Sequence, residues 1–192
     1  MLFVPDHIRG LIFDCDGTLV DSMPLHWTCW HDTFAAFGVS CPHDFLEDLK
    51  GVPTDGILRR YNDRFGTSID VWAFTEEKEK RARELLLTVQ PIRLVTDVVD
   101  RYHGILPMAV ASGGPSATVT LSLRVVGLLD RFVTVVTADD PVKPKPSPDI
   151  FLEAARRIGI PPEFCQVFED ADMGIQAAHE AGMIATDVRH YL

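Results

Sequence analysis

Apolar positions along the chain change period twice. The first strand is predicted at Arg9–Asp14, where "GLIF" is apolar on successive residues, as in a strand covered on both faces. From Met23 the period becomes helical. Trp27, Trp30, Phe34 and Phe37 share one stripe, Asp21 or Ser22 is placed to cap its start, and Gly38 stands in a C-cap position. Beyond "DFLEDLK", a helix capped by Thr54 turns Ile57, Leu58, Tyr61 and Phe65 inward and stops at Gly66. A third helix covers roughly 71–88, pairing Glu76 with Lys80, Glu77 with Arg81 and Glu79 with Arg83 on a wet face. Residues 23–88 therefore read as helices only, with Trp27, Trp30 and Phe34 in their core.

Past Pro91, strands and helices alternate. Strand-like runs at 107–112, 132–137, 165–170 and 183–188 are separated by helical stretches at 92–103, 115–126, 148–158 and 172–181. Gly127 and Gly159 sit where C-caps belong, and Ser147-Pro148 makes a helix start. Such alternation implies a parallel sheet wrapped on both faces. The most economical architecture is α/β: a Rossmann-like three-layer core of residues 1–22 and 89–192, with a small all-helical cap, 23–88, inserted after strand 1.

Composition narrows the function. With 192 residues, 46% of them hydrophobic, the chain can bury a sizeable core, as one large domain or one domain with an insertion. A net charge of −10 and the lack of any long basic run argue against a nucleic-acid or anionic-membrane surface. The scattered cysteines, Cys15, Cys29, Cys41 and Cys165, fit reduced thiols and a cytoplasmic location, not a disulfide framework or a zinc site. "MLFVPDHIRG" has no signal-peptide pattern, and no apolar run approaches a membrane span. A monomer is the default expectation.

In open parallel sheets, ligands sit beyond the carboxyl ends of the strands. Chemistry is found there four times. Strand 1 ends in Asp14 and Asp16; a later strand ends in Ser112-Gly113-Gly114; Lys143 and Lys145 precede a helix; the strand from Cys165 ends in Glu169 and Asp170. Gathering Asp14, Asp16 and Asp170 in one crevice is costly without a cation, and Mg2+ suits hard carboxylate oxygens. With a lysine and a hydroxyl added, the set describes phosphoryl transfer. Taken singly, each motif has a plainer reading. "DCDGT" also signals a hairpin turn, though not an EF-hand, because Leu25 stands where the twelfth-position Glu belongs. "SGG" reads as a loop, "PVKPKPSP" as a solvated turn or polyproline ligand, Glu169 as a structural ion-pair partner, and His26 as a surface or core histidine.

In order, "DCDGTLVDS", "ASGG", "KPSPDIF" and "EDADMGIQAAHEAGM" resemble the four motifs of the haloacid dehalogenase superfamily of aspartate-nucleophile phosphatases. Within it the chain is similar to the β-phosphoglucomutase-like branch, and most to its bacterial fructose-1-phosphate and 6-phosphogluconate phosphatases. The resemblance implies Asp14 as nucleophile, forming an aspartyl phosphate, and Asp16 as general acid and base. It implies Mg2+ held by Asp14, the Asp16 carbonyl and Asp170, with Glu169 as a further ligand or its neighbour. Ser112 and Lys145 would grip the phosphoryl group beside Gly113 and Gly114, Lys50 would face the substrate, and His26 would face it too and couple its entry and cap closure to Asp16. The implied substrate is a small phosphorylated metabolite. Mutases of the branch resemble "LKGV" followed by an arginine that holds a second phosphate; Thr54 stands in its place here, which favours hydrolysis over mutase activity. True dehalogenation would need neither Asp16 nor Mg2+. A phosphoacceptor signalling domain, the remote alternative, lacks an all-helical insertion after its first strand.

Overall fold

Strand β1 (Gly10–Phe13) is buried at every residue because it lies at the centre of a sheet. The computed structural model describes residues 2–47, 49, 52 and 54–191. They form two compact units: one runs to Ser22 and resumes at Val89, and the other comprises residues 23–88.

In the first unit β1 is joined by β2 (Met108–Ala111), β3 (Thr134–Val136), β4 (Cys165–Glu169) and β5 (Ile184–Asp187). All pairings are parallel, in the order β3-β2-β1-β4-β5. Phe13 stands opposite Val110 on one side and Phe168 on the other, so three strands end within one residue of each other. The direction of strand succession reverses between β1 and β4. That reversal opens a crevice at the carboxyl edge.

Helices α5 (Arg93–Tyr102), α6 (Ser116–Val125), α7 (Asp149–Ile158) and α8 (Asp172–Glu180) link the strands. On one face Ile12, Ala111 and Val167 pack with Phe151 and Ala154 of α7 and Ala177 of α8. Leu11, Phe13, Met108, Val110 and Phe168 alternate to the other face, each at most 1% exposed. Phe13 stacks on Phe168 at 4.9 Å. Burying each such side chain is worth about 1.5–3 kcal/mol. Helix α7 starts at Asp149, one residue after the predicted position; Ser147 donates to the Asp149 carboxylate instead of capping the helix. Its end is as the pattern predicts, with Gly159 left-handed at φ 73°.

The second unit holds α1 (Met23–Ala36), α2 (His43–Glu47), α3 (Thr54–Phe65) and α4 (Val71–Leu86). Phe34, fully buried, touches the rings of Tyr61 at 4.5 Å and Phe74 at 4.8 Å. Two expectations change here. Phe65, predicted inward, is 40% exposed, because it sits on the last turn of α3, where the helix leaves the core. The wet face of α4 is less wet than its charges suggest. Glu77 and Arg81 do pair, at 2.7 Å, but Lys78 is buried over the Trp30 ring, and the Glu79 carboxylate accepts bonds from Lys78 and Thr54.

All four cysteines are free and buried. No helix among the described residues is long and apolar enough to cross a membrane.

Candidate active site

Beyond the end of β1 the chain turns back on itself. Gly17 adopts φ 86°, a conformation that favours glycine, and its amide donates to the Val20 carbonyl at 2.9 Å. The turn leaves Asp14 just past the strand and Asp16 beyond it, so "DCDG" is a turn as well as a pair of carboxylates. A Cβ on residue 17 would lie 2.3 Å from Asp170 Oδ2, so the first and fourth motifs approach to within the space that only glycine leaves.

Lys145 closes the cluster. Its ammonium donates to Asp14 Oδ1 at 2.6 Å and to Glu169 Oε2 at 2.7 Å, 4.9 Å from the Phe151 ring. Asp14 is 7% exposed and Glu169 only 1%. Burial, reinforced by Glu169 and Asp170, pushes the Asp14 carboxyl well above its ordinary value, although Lys145 pulls the other way. Burial also raises Asp170, against the bond it accepts from the Thr18 hydroxyl at 2.8 Å. For Lys145, burial favours the neutral amine, but Asp14 and Glu169 outweigh it and keep the group charged. One ammonium therefore faces three carboxylates.

Glu169 is held on both oxygens. While Oε2 faces Lys145, Oε1 accepts the amides of Asp170 at 3.1 Å and Ala171 at 3.0 Å. Gly174, in the first turn of α8, leaves the room: a Cβ there would lie 2.0 Å from Glu169 Oε2. Gly174→Ala is accordingly expected to displace the carboxylate from Lys145. A fall in activity of about 10–100-fold, with the helix intact by circular dichroism, is the outcome to check. Unchanged kinetics would mean that the position of Glu169 is unimportant.

Ser112, 1% exposed, accepts the Gly114 amide on its hydroxyl at 3.1 Å. A Cβ on Gly114 would lie 3.5 Å from Asp16 Oδ2, so the second motif borders the first. Ser22 donates to Asp16 Oδ1 at 2.5 Å. That hydroxyl's proton therefore goes to the Asp16 carboxylate. Gly113 is exposed in the same loop, and Lys143 faces solvent where Lys145 does not. His26 is half-buried in α1 of the helical unit, and Lys50 lies outside the described residues.

The structure thus brings Asp14, Asp16, Ser112, Gly114, Lys145, Glu169 and Asp170 to one edge of the sheet. Thr18, Ser22 and Gly174 were not predicted as site residues. The first two lie inside "DCDGTLVDS" and Gly174 inside "EDADMG", so motif membership was the available signal. Oxygens of Asp14, Glu169 and Asp170 lie within 4.8 Å of one another. A set of hard oxygen donors in charge excess fits Mg2+.

The sequence profile of the haloacid dehalogenase-like hydrolase family matches residues 11–188. Over 185 residues, 96% of this chain and 98% of the relative, the chain is 43% identical to the fructose-1-phosphate phosphatase YqaB of Escherichia coli (strain K12). It is 28% identical to the β-phosphoglucomutase of Bacillus subtilis (strain 168), across 94% of this chain and 83% of that one. The crystal structure of CbbY from Rhodobacter sphaeroides in complex with phosphate shares the fold. Its TM-score is 0.79 at 23% identity, over 93% of this chain and 84% of that one. By its motifs, its fold and this profile, the chain belongs to the haloacid dehalogenase-like hydrolases.

Proposed function

We propose that the protein is a Mg2+-dependent phosphatase that hydrolyses a small phosphosugar, of the fructose 1-phosphate kind, through an aspartyl phosphate on Asp14. One observation carries this reading: Lys145 bridges Asp14 and Glu169 beside Asp170, at the reversal point of the sheet. The similarity to a fructose-1-phosphate phosphatase along nearly the whole of both chains supports the substrate class.

Asp14 is the nucleophile. One of its oxygens forms a bond to phosphorus as the phosphorus–alkoxide bond breaks in line with it. Asp16, its carboxyl oriented by Ser22, gives a proton to the departing alkoxide. It then takes a proton from water, whose oxygen attacks phosphorus, breaks the bond to Asp14 and releases inorganic phosphate. Lys145, the Ser112 hydroxyl and the Gly113 amide hold the phosphoryl oxygens, and the Gly114 amide, bonded to Ser112 Oγ, leaves that hydroxyl's proton to be donated. Asp14 and Asp170, with the Asp16 carbonyl and Glu169 alongside, would hold Mg2+. When bound, that ion offsets the carboxylate charge and draws electron density from the phosphoryl group. Residues 23–88 serve as the cap domain, with His26 and Lys50 its contributions to substrate choice.

A mutase is the second reading. The β-phosphoglucomutase relative supports it, but Thr54, where mutases carry an arginine, bonds to Glu79 within its own unit. A panel of phosphosugars with Mg2+ or with chelator separates the readings. Phosphate release from fructose 1-phosphate or 6-phosphogluconate, lost on chelation, is expected. No release from any ester overturns the proposal, and bisphosphate-primed conversion of β-glucose 1-phosphate to the 6-phosphate replaces it with the mutase.

A further inference from the structure

Lys145 reaches Asp14 from a loop whose own backbone bonds are local turns, Val142 N–H to the Asp140 carbonyl at 2.8 Å and Ser147 N–H to the Pro144 carbonyl at 3.0 Å. Between Thr137 and Asp149 the chain carries four prolines, Pro141, Pro144, Pro146 and Pro148, none of which has an N–H to donate. Local bonds of this kind set the loop's shape but not its place against the sheet.

The fixing point is the turn at residues 137–140. Asp140 Oδ2 accepts the Thr137 amide at 2.8 Å, and Oδ1 accepts Arg157 Nη2 at 2.5 Å. Arg157 stands on α7 and reaches back to the sheet, with Nη1 3.5 Å from the Val135 carbonyl. One guanidinium thus ties β3, α7 and the turn together. The turn in turn grips the loop that carries Ser112. The Ala138 amide donates to the Gly114 carbonyl at 3.1 Å, and the Ser116 amide donates to Asp139 Oδ2 at 2.9 Å. That second bond places a carboxylate at the start of α6, where the helix dipole welcomes it.

We propose that Arg157 and Asp140 form a strut that sets the spacing between the Ser112–Gly114 loop and Lys145, making both of them positioning residues for the phosphoryl group. Neither belongs to the Asp14–Lys145–Glu169 cluster, and no motif pointed to them. A wet-face ion pair explains only part of the geometry. Glu153 already satisfies Arg157 Nε at 2.7 Å along the helix, so the reach to Asp140 is not needed to pair the charge. The bond to Asp140 is charge-assisted and half-shielded, with side chains 27% and 20% exposed. The turn also has few alternatives, since Pro141 follows it directly.

The catalytic consequence rests on the phosphatase reading above; the strut itself does not. Arg157→Ala and Asp140→Asn are compared with Glu153→Ala, which removes the other partner of Arg157. Amide hydrogen exchange is expected to quicken at Ala138, Gly114 and Ser116 in the first two variants and not in the third. Well below the melting temperature, each of the first two is expected to lose about 10–100-fold in kcat/KM, with the double variant no worse than either single one. Arg157→Lys, which keeps the charge but not the fork, is expected to recover part of the loss. Unchanged exchange at Ala138, Gly114 and Ser116, or an equal loss in Glu153→Ala, overturns the strut. If Arg157→Ala does not fold, Asp140→Asn carries the comparison. A wild type with no esterase activity refutes the phosphatase reading, while the exchange data still decide on the strut.

Discussion

Asp14→Asn is expected to abolish turnover while leaving the fold intact. The amide has the size of the carboxylate but does not form the acyl phosphate, so a loss of at least ~10^4-fold in kcat follows if Asp14 is the nucleophile. Stability should respond differently. Burial, with Glu169 and Asp170 close by, already disfavours the charge on Asp14, and a neutral side chain relieves that repulsion. Against this, Lys145 loses one of its two carboxylate partners but keeps Glu169 at 2.7 Å. The two effects oppose, and the melting temperature should move little. Mg2+ affinity should fall, because one of three clustered carboxylates is gone. The measurements are kcat on the best ester of the panel, thermal melting, and titration with Mg2+. Retention of more than a few per cent of activity would remove Asp14 from the role of nucleophile. A collapse of the fold would show that its charge is needed to hold Lys145 in place.

Much of this arrangement is legible in the chain, for identifiable reasons. Strands covered on both faces are apolar on successive residues, so "GLIF" and "MAVA" declare themselves without any partner in view. Parallel strands joined by helices put their carboxyl ends on one edge, and the residues just past those ends are therefore the candidates. Legibility fails where a side chain's role is set by residues distant in sequence. Ser22 reads locally as a helix cap, and nothing in that local pattern announces the proton it donates to the Asp16 carboxylate. Glu79 has Arg83 four residues on, but the buried Lys78 is the more demanding partner, since an ammonium so enclosed needs a counter-charge. Gly174 looks like a weak helix residue until the Glu169 carboxylate is found in the space it leaves. Arg157 and Asp140 are seventeen residues apart and carry no motif; only the return of α7 along the sheet brings them together.

Lys145→Met is expected to have the second large effect, and its stability is as informative as its activity. Met fills similar space without charge, so Asp14 and Glu169 are left buried with no cation. Breaking a buried ion pair by removing one partner costs about 3–5 kcal/mol, a large fraction of a typical domain's stability. The loss should depend on pH in a definite direction. A carboxyl raised on folding binds its proton more tightly in the native state. Its contribution is complete below the unfolded value of about 3.9 and is lost as the pH rises through the native one. In the wild type Lys145 tempers this loss for Asp14; in the variant nothing does. In chelator, Lys145→Met should therefore be close to wild type in stability under acid conditions and fall progressively behind toward neutrality. Mg2+ should narrow the gap, because carboxylates freed of the competing ammonium bind the cation more tightly than in the wild type, and the native state gains in proportion to that affinity. The same addition should not restore turnover if, as proposed, the Lys145 ammonium is what grips the phosphoryl oxygens. Melting curves across pH, with and without Mg2+, give the answer. A variant as stable as wild type at neutral pH in chelator, with no dependence on Mg2+, would mean that Asp14 and Glu169 do not share the lysine, and the charge balance on which the proposed site rests would fall with it.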